Sequence, residues 1–463
     1  MIYDIIVIYK SYPERTKIMK SRNIKRFTAL FLAASVLASC HADDKDGMIS
    51  DNSDTTDSTA VQETPAAPLS NPVAVDENGD VDMEVALAYE TDFDALLASL
   101  DAKTIAEGDT VSDNTNEETQ HLYNWLQENY GKNIISAQQV SGSKQPEDIL
   151  YYMQTGDLPA MKGFDFIFTT TSAPENKSEW TDMAIDWHTK SGGIVNFCWH
   201  WNVPCDVNQD EESTAYAFYS EKISNFSLKN AVTPGTKEYE VVVHDIDLIA
   251  IELQKLEEAG VPVLWRPLHE ASGAWFWWGV ADREIAEGEY YQKLWYMIYD
   301  RLENYHKLTN LIWVWNGQSK HTQVHPNTYD ISGIDVYPNT EDHSPQEAKY
   351  KALDTITEEG KMLTLSEVGY IPDPDEVFAA ENVNWLYFMP WNGDFIYHGT
   401  NIYGIPKLNT EKMSSEFLKK VYAHDKVITW SELPQWEGTT HEIPENINSQ
   451  MLYINMTIEE ANQ

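Results

Sequence analysis

From about residue 130 the chain alternates between two hydrophobic rhythms. Short, densely apolar runs, most ending in a polar or aromatic residue, occur at 133–139, 164–170, 193–199, 261–266, 310–316, 331–337, 362–367 and 385–391, and each is expected to form a strand. Between them apolar positions return at helical spacing at 181–190, 246–259, 284–305, 345–358 and 411–423. Ahead of the first strand, Asn114 and Asn116 offer capping chemistry, Leu122, Trp125 and Leu126 share one face, and Gly131 marks a stop, which predicts a helix over 117–130. Eight strands alternating with helices predict an α/β fold, a (β/α)8 TIM barrel, with its site where strands end and loops begin. The longest irregular insert, 201–243, follows the third strand and carries Tyr216, Phe218, Tyr219 and Phe226. It is expected either to wall a cleft or to form a small core of its own.

The first hundred residues read differently. Lys20, Arg22, Lys25 and Arg26 precede the apolar run 27–37, too short for a stable membrane span, so residues 1–40 read as a secretory leader, with Met19 a second candidate start. The leader ends Leu37-Ala38-Ser39-Cys40, which resembles a bacterial lipoprotein signal and implies lipidation of Cys40. Residues 41–81 are rich in Asp, Ser, Thr, Ala and Pro without an apolar period, and read as a disordered acidic tether. The run 41–46 resembles the surface-export signal of Bacteroidota lipoproteins, which implies an outer-membrane lipoprotein at the cell surface rather than in the periplasm. Helical spacing at 82–101 predicts a short extension, 102–440 the catalytic domain, and 441–463 a tail.

A net charge of −42 argues against a nucleic-acid partner and is compatible with a neutral polymer. Cys198 and Cys205 are expected either to pair or to remain buried thiols.

The candidate chemistry sits at the strand ends. The stretch 261–279, VPVLWRPLHEASGAWFWWG, turns from a buried strand into a loop in which Arg266, His269 and Glu270 precede Trp275, Phe276, Trp277 and Trp278. Such rings suit stacking on pyranose faces, and they suit equally a core plug around a paired carboxyl. His200, Asn202, Trp315, Asn316, Asp335, Tyr337, Glu367 and Trp391 are expected on the same rim. Glycosidic bonds are cut by two carboxyl groups, so Glu270 and Glu367 form the decisive pair, although each alone reads as well as an ion-pair partner for Arg266. No His-x-x-x-His or comparable cluster supports a metal, and no cofactor is expected.

These residues carry a family resemblance. Arg266-Pro267-Leu268-His269-Glu270 with Gly273 and the four rings resembles the acid/base signature of glycoside hydrolase family 26, whose members are mainly β-1,4-mannanases. The likeness extends over about 102–434, through Ser136-Ala137-Gln138-Gln139, through Trp199, His200, Asn202 and Pro204, and through Leu365-Ser366-Glu367-Val368-Gly369. It implies an endo-acting retaining enzyme on mannan, galactomannan or glucomannan, with Glu270 as acid/base and Glu367 as nucleophile. It further implies that His200, His269, Trp275, Tyr337 and Trp391 bind substrate. Relatives acting on xylan or mixed-linkage glucan, and a glycan-binding protein that has lost turnover, are the alternatives. A monomer is expected. The chain departs from the family at Ala271-Ser272 and at Ser136-Ala137, which leaves open how the sugars flanking the cut are gripped.

Overall fold

The computed structural model describes residues 70–172, 179–204, 217–223, 225–280 and 285–461. Among them eight parallel strands form a closed barrel: β1 (Ile134–Gln139), β2 (Met161–Asp165), β3 (Ile194–Cys198), β4 (Val263–Arg266), β5 (Leu311–Trp315), β6 (Ile331–Val336), β7 (Met362–Val368) and β8 (Trp385–Pro390). Each strand pairs with the next in chain order, and β1 pairs back to β8 through Ile135 with Tyr387 and Ser136 with Phe388. The expected (β/α)8 barrel is therefore present, with its sheet edges consumed by closure. Every position of all eight strands is buried, which is why they read as apolar runs rather than as alternating ones.

Several boundaries differ from those expected. β2 starts at Met161 and ends at Asp165, because Lys162 and Gly163 disguise a buried strand. Lys162 is 1 % exposed and is tolerated there by a 2.6 Å ion pair with Asp148. Gly163 leaves room that a side chain would lose, since a Cβ would stand 2.2 Å from Gln139 Oε1 and 2.5 Å from Met389 Sδ. The helix expected at 246–259 runs from Lys237 to Glu258, so seven residues of the insert belong to it. The helix expected over 284–305 is α-helical over Ile285–Tyr299 and then widens into π-turns over Asp300–Tyr305. A helix that the apolar pattern did not signal, Pro146–Thr155, joins β1 to β2. Between β5 and β6 the described chain makes two 3-10 turns where the repeat calls for a helix.

The extension and the tail both pack on the barrel. Residues 70–81, read as part of the tether, make a small hairpin closed by a Val75–Val81 bridge and turned about Asp76, whose Oδ1 accepts from Asn78 N and Asp80 N. Helices Met83–Ala86 and Phe93–Ala102 follow, burying Ala86, Leu96 and Leu100. Arg301 donates to the carbonyls of Ala86 and Tyr89 while its guanidinium pairs with Asp247 at 2.6 Å. Ser70 binds Glu257, whose other oxygen accepts from Thr309 N. Glu257 ends the helix that leads into β4 and Thr309 precedes β5, so this clasp lies at the base of the barrel, away from the strand ends. At the other terminus, helices Glu445–Asn448 and Met451–Ala461 bury Ile447 and Ile454. The leader, Cys40, the tether up to residue 69, Tyr216 and Cys205 lie outside the described residues. Cys198 is a free, buried thiol.

Candidate active site

β4 delivers the first carboxyl through a strained turn. After Arg266 the chain passes Leu268 and Glu270, both left-handed at φ 52°, a conformation that L residues with side chains avoid. The half-buried Glu270 receives the indole N–H of Trp275 on Oε2 at 2.8 Å. Burial pushes its carboxyl up to about 7, and the charge of Glu367 adds to this, while the Trp275 N–H, Arg266 and His200 oppose it. The rings after it divide their work. Phe276, Trp277 and Trp278 are buried core, so the plug reading holds for those three, and Trp275 alone stays partly open beside the acid.

Glu367, on β7, is 4 % exposed and accepts on both oxygens: from Arg266 Nη2 at 2.5 Å and from Tyr337 OH at 2.5 Å. The tyrosine also packs edge-on against Phe395. Arg266 is fully buried and its second arm reaches Asp335 at 3.3 Å. Oxygens of Glu270, Asp335 and Glu367 all lie within 4.8 Å of one another. Three carboxyls that close could hold a cation, but the guanidinium between Asp335 and Glu367 already supplies the positive charge there and would repel one. Three hydrogen-bond donors converge on Asp335: Arg266, Asn316 Nδ2 at 2.9 Å and Gln318 Nε2 at 3.2 Å. Burial and the Glu367 charge push its carboxyl up, and these donors work against that.

The two histidines lie beneath the rim. His200 is 3 % and His269 1 % exposed, and their Nε2 atoms stand 3.2 Å apart. Asp165 at the end of β2 accepts from His200 Nδ1 at 2.7 Å and from its backbone N–H at 3.0 Å. His200 is thus held through Nδ1 by Asp165, and its other nitrogen faces His269, with one proton between the two rings. His269 is held neutral by burial, reinforced by His200 and Arg266. Trp391 is 5 % exposed, lies edge-on to His200 at 5.6 Å, and has its carbonyl bound by Gln138 Nε2. A second close grouping, Asp165, Cys198 and His200, offers a metal little, because Asp165 and His200 are spent on each other and burial pushes the Cys198 thiol up.

The structure thus brings Glu270, Glu367, His200, His269, Trp275, Tyr337 and Trp391 to one end of the barrel. It adds Asp165 and Gln318, which the sequence pattern did not single out. Asp165 would have stood out as a strand-end carboxyl had β2 been bounded correctly. Gln318 carries no pattern of its own.

Comparison with known proteins agrees with this arrangement. The sequence pattern described as glycosyl hydrolase family 26 matches residues 111–429. Mannan endo-1,4-beta-mannosidase B of Piromyces sp. is 38 % identical over 331 residues, covering 69 % of this chain and 53 % of that protein. Mannan endo-1,4-beta-mannosidase of Thermothelomyces thermophilus is 35 % identical over 325 residues, with 69 % and 62 % covered. The chain thus spans about half to three-fifths of the length of these relatives. Among solved structures, the Podospora anserina GH26-CBM35 β-(1,4)-mannanase superposes with a TM-score of 0.62 at 34 % identity, over 71 % of this chain and 70 % of that one. A β-mannanase from a symbiotic protist of the termite Reticulitermes speratus, complexed with gluco-manno-oligosaccharide, gives 0.61 at 30 % identity, over 72 % of this chain and 100 % of that one. A barrel with paired carboxyls on β7 and just after β4, and a family pattern spanning nearly all of that barrel, together make the chain a member of glycosyl hydrolase family 26.

Proposed function

We propose that the protein is an endo-acting, retaining β-1,4-mannanase that cuts mannan, galactomannan or glucomannan by double displacement. The observation that carries the reading is the approach of Glu270 and Glu367 oxygens to within 4.8 Å. Retaining glycosidases place their carboxyls about 5 to 5.5 Å apart, whereas inverting ones leave room for a water at about 6.5 to 9.5 Å. The choice of mannan rests on the activity named for the relatives above.

In this reading Glu270, protonated near neutrality, gives its proton to the glycosidic oxygen as the bond to the anomeric carbon breaks. Glu367 attacks that carbon from the opposite face and forms a glycosyl ester. Glu270, now a carboxylate, takes a proton from water, which attacks the same carbon and releases Glu367. Arg266 and Tyr337 aim the nucleophile and donate to it, so both of its oxygens are oriented before substrate arrives. Trp275, partly open beside the acid, offers a ring face to sugar, and Trp391 forms the floor under the sugar at the cut.

The test is release of new reducing ends from mannan, xylan and mixed-linkage glucan, with Glu367→Ala beside the parent. Release from mannan that disappears in the variant, with binding kept, supports the reading. Release from xylan or glucan alone would move the substrate and leave the chemistry. The leader motif supports a further proposal, that Cys40 carries a lipid and holds the enzyme on the outer membrane facing outward. Cys40→Ser should then shift activity from the membrane fraction to the soluble one, and activity lost on protease treatment of whole cells would place it outside.

A further inference from the structure

Behind β5 the chain turns sharply through Asn316, Gly317 and Gln318. Gly317 has no room for a side chain, since a Cβ would stand 2.6 Å from Trp315 Nε1 and 2.7 Å from Thr322 Oγ1. The next residue, Gln318, is left-handed at φ 63°, where glycine would sit with less strain. What a glycine could not do is reach the catalytic floor. The Gln318 amide nitrogen donates to Asn316 Oδ1 at 2.7 Å and to Asp335 Oδ2 at 3.2 Å. Asn316 Oδ1 also accepts from the backbone N–H of Glu270 at 3.4 Å, while Asn316 Nδ2 donates to Asp335 Oδ1 at 2.9 Å. Asp335 in turn holds Arg266, and Arg266 holds Glu367. Asn316 thus links the backbone of the proposed acid, through Asp335 and Arg266, to the proposed nucleophile, and the Gln318 amide braces that link at its Asn316–Asp335 step.

We propose that Gln318 is a positioning residue of this site: it braces the Asn316–Asp335 contact through which the strained turn bearing Glu270 is tied to the Arg266 that aims Glu367. The inference rests on the retaining-pair reading of the two glutamates. Its physical content is twofold. The two N–H groups hold Asn316 and Asp335 in register, and the donor to Asp335 favours that residue's ionised form. The groups facing Asp335 are Arg266 from β4, Glu270 from the turn after it, Asn316 and Gln318 from the turn after β5, and Glu367 from β7. Those facing Glu270 are Glu367, Asp335, Arg266, His200 and the Trp275 N–H. Loss of the Gln318 donor lets Asp335 take a proton more readily, and a neutral Asp335 no longer discourages ionisation of Glu270. A carboxylate at position 318 also raises Asp335, by like charge, but it adds its own negative charge to the cluster, and that charge discourages ionisation of Glu270 further.

The decisive variants are Gln318→Gly and Gln318→Glu, compared with the parent on the same mannan, with melting temperature, kcat, KM and the pH profile recorded. Gln318→Gly relieves the left-handed backbone, so its melting temperature should equal or exceed the parent's. Its kcat should fall about tenfold with KM within about twofold, the pattern of transition-state stabilisation lost while ground-state binding is kept. The alkaline limb of kcat/KM should move down by about half a unit in Gln318→Gly and up by a similar amount in Gln318→Glu. A Gln318→Gly enzyme with the parent's kcat overturns the proposal, as does a change confined to KM or an alkaline limb unmoved in both variants. A parent inactive on every glycan takes down the functional reading and this inference together, whereas an active parent matched by Gln318→Gly takes down this inference alone.

Discussion

Glu270 receives opposite influences from a single loop. Withdrawal from water pushes its carboxyl up to about 7, while the Trp275 indole N–H stabilises the charged form. The rings therefore do not act together: the apolar surroundings keep the proton on, and one N–H works to take it off. Trp275→Phe keeps a ring and deletes the donor, so the acid should hold its proton to higher pH. The alkaline limb of kcat/KM is expected to rise by roughly half a unit to one unit, read from a pH–rate profile. A limb that stays put would mean that Trp275 does not touch the acid in solution. Glu270 and Glu367 were legible as a pair because a barrel collects the ends of its strands, and both sit at such ends. Arg266 was half legible: a partner for a glutamate was expected, and it is Glu367 with Asp335 that it holds. Asp165 was hidden by a misplaced strand boundary. Gln318 was hidden because a left-handed backbone and a two-pronged amide leave no trace in an apolar pattern.

Among the elements, the insert after β3 fastens the loop after β4. Tyr219 bridges to Phe276 in antiparallel fashion, Ser220 N donates to the Trp275 carbonyl at 2.7 Å, and Trp277 N donates to the Phe218 carbonyl at 3.0 Å. The described aromatics of the insert join the same packing, with Phe218 against His200 and Phe226 against Trp277. Of the two readings of that insert, wall or separate core, its described end is thus continuous with the catalytic loop. Ser220 opens a 3-10 turn over Ser220–Lys222, the position at which proline is tolerated. Ser220→Pro thus removes one hydrogen bond with little backbone cost. It should lower kcat several-fold while leaving the melting temperature within about 2 °C, checked by kinetics beside calorimetry. Equal loss of both would show the clasp to be general support. The strands were legible as elements because burial on both faces makes them uniformly apolar. The helix Pro146–Thr155 was not, since it buries Glu147 and Asp148 on the face that a pattern reader expects to be oily.

For the whole molecule, two buried carboxyls couple stability to pH. At the barrel base burial pushes Glu303 up to about 7 and Asp330 up to about 6. Both bind protons more tightly folded than unfolded. Their contribution to stability is therefore complete below the ordinary carboxylate range and is lost as pH rises through about 6 to 7. Self-repulsion from a net charge of −42 changes in the same direction. The melting temperature should climb by several degrees between pH 8 and pH 6, and Glu303→Gln should remove roughly 2–4 °C of that climb. An identical pH dependence in the variant would place the effect elsewhere. The same base carries one more property, set by the Glu257 clasp on Ser70 and the Arg301 clasp on Ala86 and Tyr89. Traction on the chain from its amino-terminal side is borne there, by hydrogen bonds to one charged side chain on each clasp, at the pole remote from the mouth. The barrel stands between that load and the carboxyl pair, so a pull on the amino-terminal segment leaves the spacing of Glu270 and Glu367 unstretched.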